Sequence, residues 1–349
     1  MEYWIEQSVL AEKTGVVIPA YFSGKPPDEM VTHLLWMTLA DTHHYVPLDN
    51  VWVVVDGDAR TVRLLEPLRE RLWQEHGSAI HILPLPENRG KLAALKEGIT
   101  ALLAANPAVQ YIALRDGDGD HLPSFIPPLV RAADSLANAY AHSNLIVIGA
   151  RRSRHRPMGW VRGELEALLD QVTLDALAYA LARQGRALNL RHCVGDAVPD
   201  LSSGYKVYGR QAAQQLFVQH EPQMACLSAT DYWHYGPETV TIVESLLSGT
   251  ILAEVQRLTW DGQPTTSFGE FRHVALYGEL LAWVYARLEI PLAVAAQLYD
   301  NYTPSMLLRT TAQGNEAVDA VRAYALEKVK TYRGEQGPIP APMPVVPFV

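Results

Sequence analysis

Only two cysteines, Cys193 and Cys226, occur in 349 residues. That scarcity excludes a disulfide scaffold and a four-cysteine zinc site, and a reducing cytoplasm is the simplest setting for it. Excess positive charge is missing too: 29 Lys and Arg face 38 Asp and Glu, for a formal net charge of -9. A general nucleic-acid binder needs a basic surface, so that class is set aside. No apolar run reaches the roughly 18 residues of a transmembrane helix. The closest stretch, LLAWVYARLEIPLAVAAQLY, is interrupted by Arg287, Glu289 and Pro291. The opening MEYWIEQSVLAEKTG lacks the basic start and apolar core of a signal peptide. The expectation is a cytoplasmic protein without a transmembrane segment, free or resting on a membrane surface. Neither G-x-G-x-x-G nor a Walker sequence follows the first apolar run, where VIPAYFSGK stands. A dinucleotide fold and a P-loop ATPase are thereby disfavoured.

What is present is a rhythm. GVVIPAY, NVWVVVDGD, AIHILPLP, QYIALRD and NLIVIGA are short β-rich runs, separated by helical patterns such as PDEMVTHLLWMTLA and KLAALKEGITALLAA. Such alternation predicts an α/β fold with a mainly parallel sheet flanked by helices. Right-handed crossovers bring the strand ends to one edge, where Tyr21, Asp56, Asn88, Asp116 and Arg151 fall. Beyond residue 160 helices dominate to about residue 332, apart from the turn-rich VGDAVPDLSSG. The last stretch, GEQGPIPAPMPVVPFV, is expected to run extended over the surface or to be disordered.

At the end of the fourth run stands RDGDGDHLP. Asp116, Asp118 and Asp120 repel one another unless a cation or donor groups sit among them. A helix-loop-helix calcium site is excluded, because His121 occupies the glycine position and Pro127 the place of the bidentate glutamate. A strand delivering carboxylates to a divalent metal, and through it to a diphosphate, fits better.

Five ordered segments now resemble the family 2 glycosyltransferases of the GT-A fold, especially the polyprenyl-phosphate enzymes. They are VVIPAY, VVVDGD, ENRGKLAALKEGI, RDGDGDHLPSFI and DLSSGYKVYGR, and the similarity covers about residues 14–260. The resemblance implies a GT-A catalytic domain over 1–260, with a nucleotide-binding half at about 14–150 and an acceptor half at about 151–260. A helical extension over 261–332 and a proline-rich tail over 333–349 would follow. It implies that Pro19, Ala20, Tyr21, Asp56, Lys91, Asp116, Gly117 and Asp118 hold a UDP- or GDP-linked sugar, Asp116 and Asp118 through Mg2+ or Mn2+. Ser203 and Gly204 would line the acceptor side.

Alternatives stay open at several positions. Asp56 either reads the base or starts an Asp-Gly turn, and Lys91 either meets the donor or is a solvated lysine at a helix start. Asp120 has no secure counterpart in the family motif. Arg151, Arg152, Arg154 and Arg156 form either a clamp for the acceptor or the diphosphate, with Arg151 and Arg152 nearest the strand end and expected to bind the acceptor, or a solvated loop with salt bridges to surface acids. Glu238, in the first turn of a helix framed by Pro237 and Gly249, resembles the family's catalytic base, with Asp231 as substitute. The basic stretch of the polyprenyl-phosphate enzymes is missing after AEVQ, which puts a lipid-phosphate acceptor in doubt; a small-molecule acceptor, anionic or not, and a lipid phosphate both stay open. The region is also distantly similar to mannosylglycerate synthase, whose metal-binding histidine gives way to a position near Thr265. His273 is expected on a helix. The rivals are a sugar-phosphate nucleotidylyltransferase and a catalytically silent nucleotide-sugar-binding protein. A homo-oligomer is left open.

Overall fold

The computed structural model describes residues 6–22, 24, 26–193, 198–259 and 273–342. The position near Thr265 and the last residues of the proline-rich tail lie outside them. Seven strands form one sheet: β1 Thr14–Ala20, β2 Val51–Asp56, β3 His81–Leu85, β4 Tyr111–Leu114, β5 Leu145–Arg151, β6 Lys206–Gly209 and β7 Ile251–Arg257. Their order is β3-β2-β1-β4-β6-β5-β7. The pairs β1/β2, β1/β4, β2/β3 and β5/β7 are parallel. This is the α/β architecture expected, and the helices Asp28–Leu39, Ala59–His76, Lys91–Ala105 and Ile126–Tyr140 are its crossovers.

Strand β6 departs from the expected rhythm. It runs antiparallel to both β4 and β5, with Lys206 opposite Leu114 and Ile148. Its direction matters for position, because the N-terminal end of β6 then lies beside the C-terminal ends of β4 and β5. Residues 203–206 thus reach the edge where the aspartates of β4 emerge.

The strand alternation sorts side chains onto two faces, as the pleat requires. Val16, Ile18, Val53, Val55 and Ala113 enter one core, whereas Val17, Val54, Ile112, Ile146 and Ile148 enter the other. The second core also holds the helices Trp160–Arg183, His273–Arg287, Leu292–Tyr302 and Ala312–Arg333. His273 lies on the helix His273–Arg287, as expected. Trp283 is fully buried and donates Nε1–H to the carbonyl of Gln223 at 2.8 Å. Arg287 adds a two-bond ion pair to Glu244, at 2.6 and 2.8 Å. The C-terminal helices and the sheet therefore share one core.

Trp283→Ala should cost about 3–5 kcal/mol of stability through a large cavity. Denaturant unfolding should stay a single transition. A second transition that leaves the sheet intact would show the C-terminal helices to be a separate unit.

Candidate active site

Asp56 ends β2, and its buried carboxylate accepts the backbone N–H groups of Arg89 and Gly90, each at 2.8 Å. The next residue, Gly57, has φ +69° and lies so close to Asn88 that a Cβ would stand 2.1 Å from its nitrogen. Only glycine fits there. The turn-starting role belongs to Asp58, which accepts from the backbone N–H of Arg60 at 3.0 Å and caps the following helix. Asp56 instead fixes the backbone immediately ahead of Lys91.

Lys91 is the first residue of its helix. Its ammonium lies 2.8 Å from Asp116 Oδ1 and 2.8 Å from Glu238 Oε1. Burial opposes the charge, but Asp116 and Glu238 outweigh it and raise the lysine pKa above its ordinary value. For Asp116 burial acts upward, and Lys91 prevails in holding its carboxyl below the usual range. Three of the residues expected in the site, drawn from distant parts of the chain, thus meet at one ammonium. Glu238 is the residue preceding the helix Thr239–Leu247 rather than a member of its first turn. Asp231 is held apart from this cluster by Ser228, whose hydroxyl donates to it at 2.6 Å and caps its helix.

The aspartate loop is braced from within. His121 Nδ1 accepts the backbone N–H of Asp116 at 2.9 Å, and the ring stacks on Tyr205 with centroids 4.9 Å apart. Burial pushes the His121 pKa down to about 4, so the ring is neutral at pH 7. Arg115, fully buried, donates from Nε to the carbonyl of His121 at 2.8 Å and from Nη2 to that of Thr38 at 2.9 Å. The Tyr205 hydroxyl donates to the carbonyl of Leu122 at 3.0 Å. Gly117 packs against Pro19 and Ala20, and Tyr21 stands exposed beyond the end of β1.

Asp118 is pushed well above the carboxylate range, first by burial and then by Asp120 and Asp116. Among the described residues no group of three or more His, Cys, Asp or Glu side chains could by itself hold a metal ion. The donor set still suits a hard divalent cation, because crowded carboxylate oxygens are its preferred ligands and such ions commonly complete their shell with phosphate and water.

Gly204 closes the other side. A Cβ there would lie 2.8 Å from Asp116 Oδ2 and 3.2 Å from Lys91 Nζ, so the absence of a side chain is what admits both groups. Its neighbour Ser203 is buried and donates to the carbonyl of Gly149 at 2.8 Å. Lys206, buried on β6, donates to the carbonyl of Ser203, and burial lowers its pKa to about 8. Sequence reasoning missed Arg115, His121 and Lys206. The one signal for Lys206 was a lysine at an inward position of GYKVYGR.

The arginine cluster lies elsewhere than expected. Arg151 gives Nε to Asp200 Oδ2 at 2.8 Å and Nη2 to Asp200 Oδ1 at 2.6 Å, while Nη2 also lies 2.8 Å from Glu166. Its remaining nitrogen, Nη1, faces the sulfur of Met158 at 3.0 Å. Arg154 pairs with Asp170 at 2.7 Å. With its donors engaged inside the protein, Arg151 is a structural centre rather than a ligand clamp. Arg152 is exposed and donates to Gln256 at 3.0 Å.

Residues 15–217 match the family model for glycosyl transferase family 2. The chain belongs to that family. It is a nucleotide-sugar glycosyltransferase, and the nucleotidylyltransferase alternative falls away. No curated protein matches the sequence. Among solved structures, a Pyrobaculum calidifontis mannosyltransferase in complex with GDP-Man and Mn2+ is 16% identical, with a TM-score of 0.45 over 93% of this chain and 88% of that one. A GalNAc-T7 structure with UDP, GalNAc and Mn2+ is 12% identical, with a TM-score of 0.43 over 93% of this chain and 56% of that one. Likenesses this slight assign no role to any residue of this glycosyltransferase. No helix among its described residues is long and apolar enough to cross a membrane.

Replacing Arg151 with methionine would leave Asp200 with Arg154 at 3.5 Å and Glu166 with Arg162 at 2.9 Å, and a loss at the lower end of about 3–5 kcal/mol is expected. Chemical denaturation reads the loss, and nucleoside diphosphate affinity should hardly change. Unaltered stability with weakened nucleotide binding would return Arg151 to the ligand site.

Proposed function

We propose that this enzyme moves a sugar from a UDP- or GDP-linked donor to a hydroxyl of a small acceptor, with Mg2+ or Mn2+ in its donor site. The observation that carries this reading is the convergence of Lys91, Asp116 and Glu238 beside Gly204. Asp116 and Asp118 would hold the ion, which when bound supplies Lewis-acid stabilisation of the departing diphosphate. Lys91 adds a fixed positive charge against the same leaving group. Pro19 and Ala20 border the aspartate loop on the donor side, and Tyr21 offers an exposed ring at that rim. Asp56 serves the donor through the amides it fixes ahead of Lys91.

Glu238 is the base of this proposal for an inverting transfer. Lys91 engages Oε1, while Oε2 accepts no hydrogen bond among the described residues and is the atom able to take the proton of an acceptor hydroxyl. Asp231, tied to Ser228, is the weaker choice. Ser203 and Gly204 form the wall between the acceptor side and the Lys91 cluster.

Calorimetric titration with UDP, GDP and their sugars should show one nucleotide that binds far better with Mn2+ than without it, and Asp118→Asn should abolish that difference. Equal binding with and without Mn2+ would remove the metal from the proposal. With the matched donor, Glu238→Gln should lower turnover by about two to four orders of magnitude while donor binding persists. Turnover preserved in that variant would exclude Glu238 as base.

A further inference from the structure

Arg257 ends β7 and takes no part in the chemistry above. It is only 5% exposed. Its Nε donates to the carbonyl of Gly149 at 3.0 Å, and its guanidinium carbon lies 5.8 Å from the centroid of Tyr205. Other buried arginines have carboxylates: Arg151 has Asp200 and Arg322 has Asp300. Arg115 has none, but its donors meet the oxygens of Thr38, Thr42 and His121. Among the described residues the Nη groups of Arg257 meet no acceptor and no carboxylate pairs with them. Neither Nη is among the fully buried polar atoms that lack a partner, so the small exposure of this side chain lies at its fork, where an anion can reach it.

Position narrows the ligand. The side chain runs back from the edge strand over Gly149 of β5, where a Cβ would stand 3.4 Å from Arg257 Cδ. Tyr205, beside which the guanidinium lies, stacks on His121 of the aspartate loop with ring centroids 4.9 Å apart, so Arg257 stands next to that loop. Strands β1, β2 and β3 lie on one side of β4, and β6, β5 and β7 on the other. Arg257 therefore approaches that loop from the side of β4 opposite to β1 and β2, which carry Pro19, Ala20 and Asp56.

We propose that Arg257 is a specificity-determining residue that receives an acidic group, carboxylate or phosphate, carried by the acceptor. The inference rests on the donor-site reading of the preceding subsection. A guanidinium fork matches either oxyanion through paired hydrogen bonds. The acceptor role expected of Arg151 and Arg152 then falls to an arginine about a hundred residues further on, whose Nη groups meet no acceptor among the described residues.

The test uses the full-length protein saturated with Mn2+ and the nucleoside diphosphate it binds, titrated by calorimetry with inorganic phosphate and, separately, with glycolate. Binding of at least one anion is expected, weakened about tenfold or more in Arg257→Met and less in Arg257→Lys, while nucleoside diphosphate affinity changes by less than about twofold. Failure of the nucleoside diphosphate to bind at all defeats the donor reading. Nucleotide binding without binding of either anion defeats this inference alone. A fall in nucleotide affinity with anion binding intact would give Arg257 to the donor diphosphate instead. Thermal unfolding separates a structural role: Arg257→Met should melt no lower than wild type, whereas a fall of more than about 5 °C with anion binding intact overturns the proposal.

Discussion

One ammonium between two carboxylates organises the candidate active site of this enzyme. Asp116 and Glu238 face each other across Lys91, and without that charge two acids would share one partly buried space, which is costly. The arrangement has preconditions reaching far into the fold. Asp56 must hold the amides of Arg89 and Gly90 so that the helix of Lys91 begins where it does. Strand β6 must run antiparallel so that Gly204, bare of a side chain, sits against both charges. Neither would be needed for a stable α/β core alone.

Around this pair the enzyme is more rigid than a loop of three aspartates suggests. Arg115 and Tyr205 grip the carbonyls of His121 and Leu122, and the neutral His121 ring accepts the N–H that opens the loop. The loop backbone is thus tied from inside the protein. That is preorganisation of the backbone: Lys91 balances Asp116, while burial, Asp120 and Asp116 still act against the charge of Asp118.

Much of this was legible in sequence, for identifiable reasons. Parallel strands buried on both faces read as continuous Val and Ile runs, so VVIPAY, VWVVVDG and NLIVIGA declared themselves, and the family match over residues 15–217 agrees with the resemblance those segments carried. Strand β6 did not, because four residues with an inward lysine carry no such pattern. The arginines of 151–156 invited a ligand because their acids lie elsewhere in the chain: Glu166 and Asp170 on the helix Trp160–Arg183, and Asp200 beyond it. Local sequence shows a cluster of like charge, while only tertiary structure shows who neutralises it. Lys91 and Glu238 were foreseen as separate residues, but nothing in their spacing said that they touch.

The most direct test is the nucleoside diphosphate affinity of Lys91→Met, measured calorimetrically in Mn2+ against wild type. If the Lys91 cluster is the donor phosphate site, losing the ammonium leaves Asp116 and Glu238 facing an anionic ligand, and affinity should fall by about tenfold or more. Affinity equal to or above wild type, in a variant that remains folded, would contradict the account and move the donor away from this cluster.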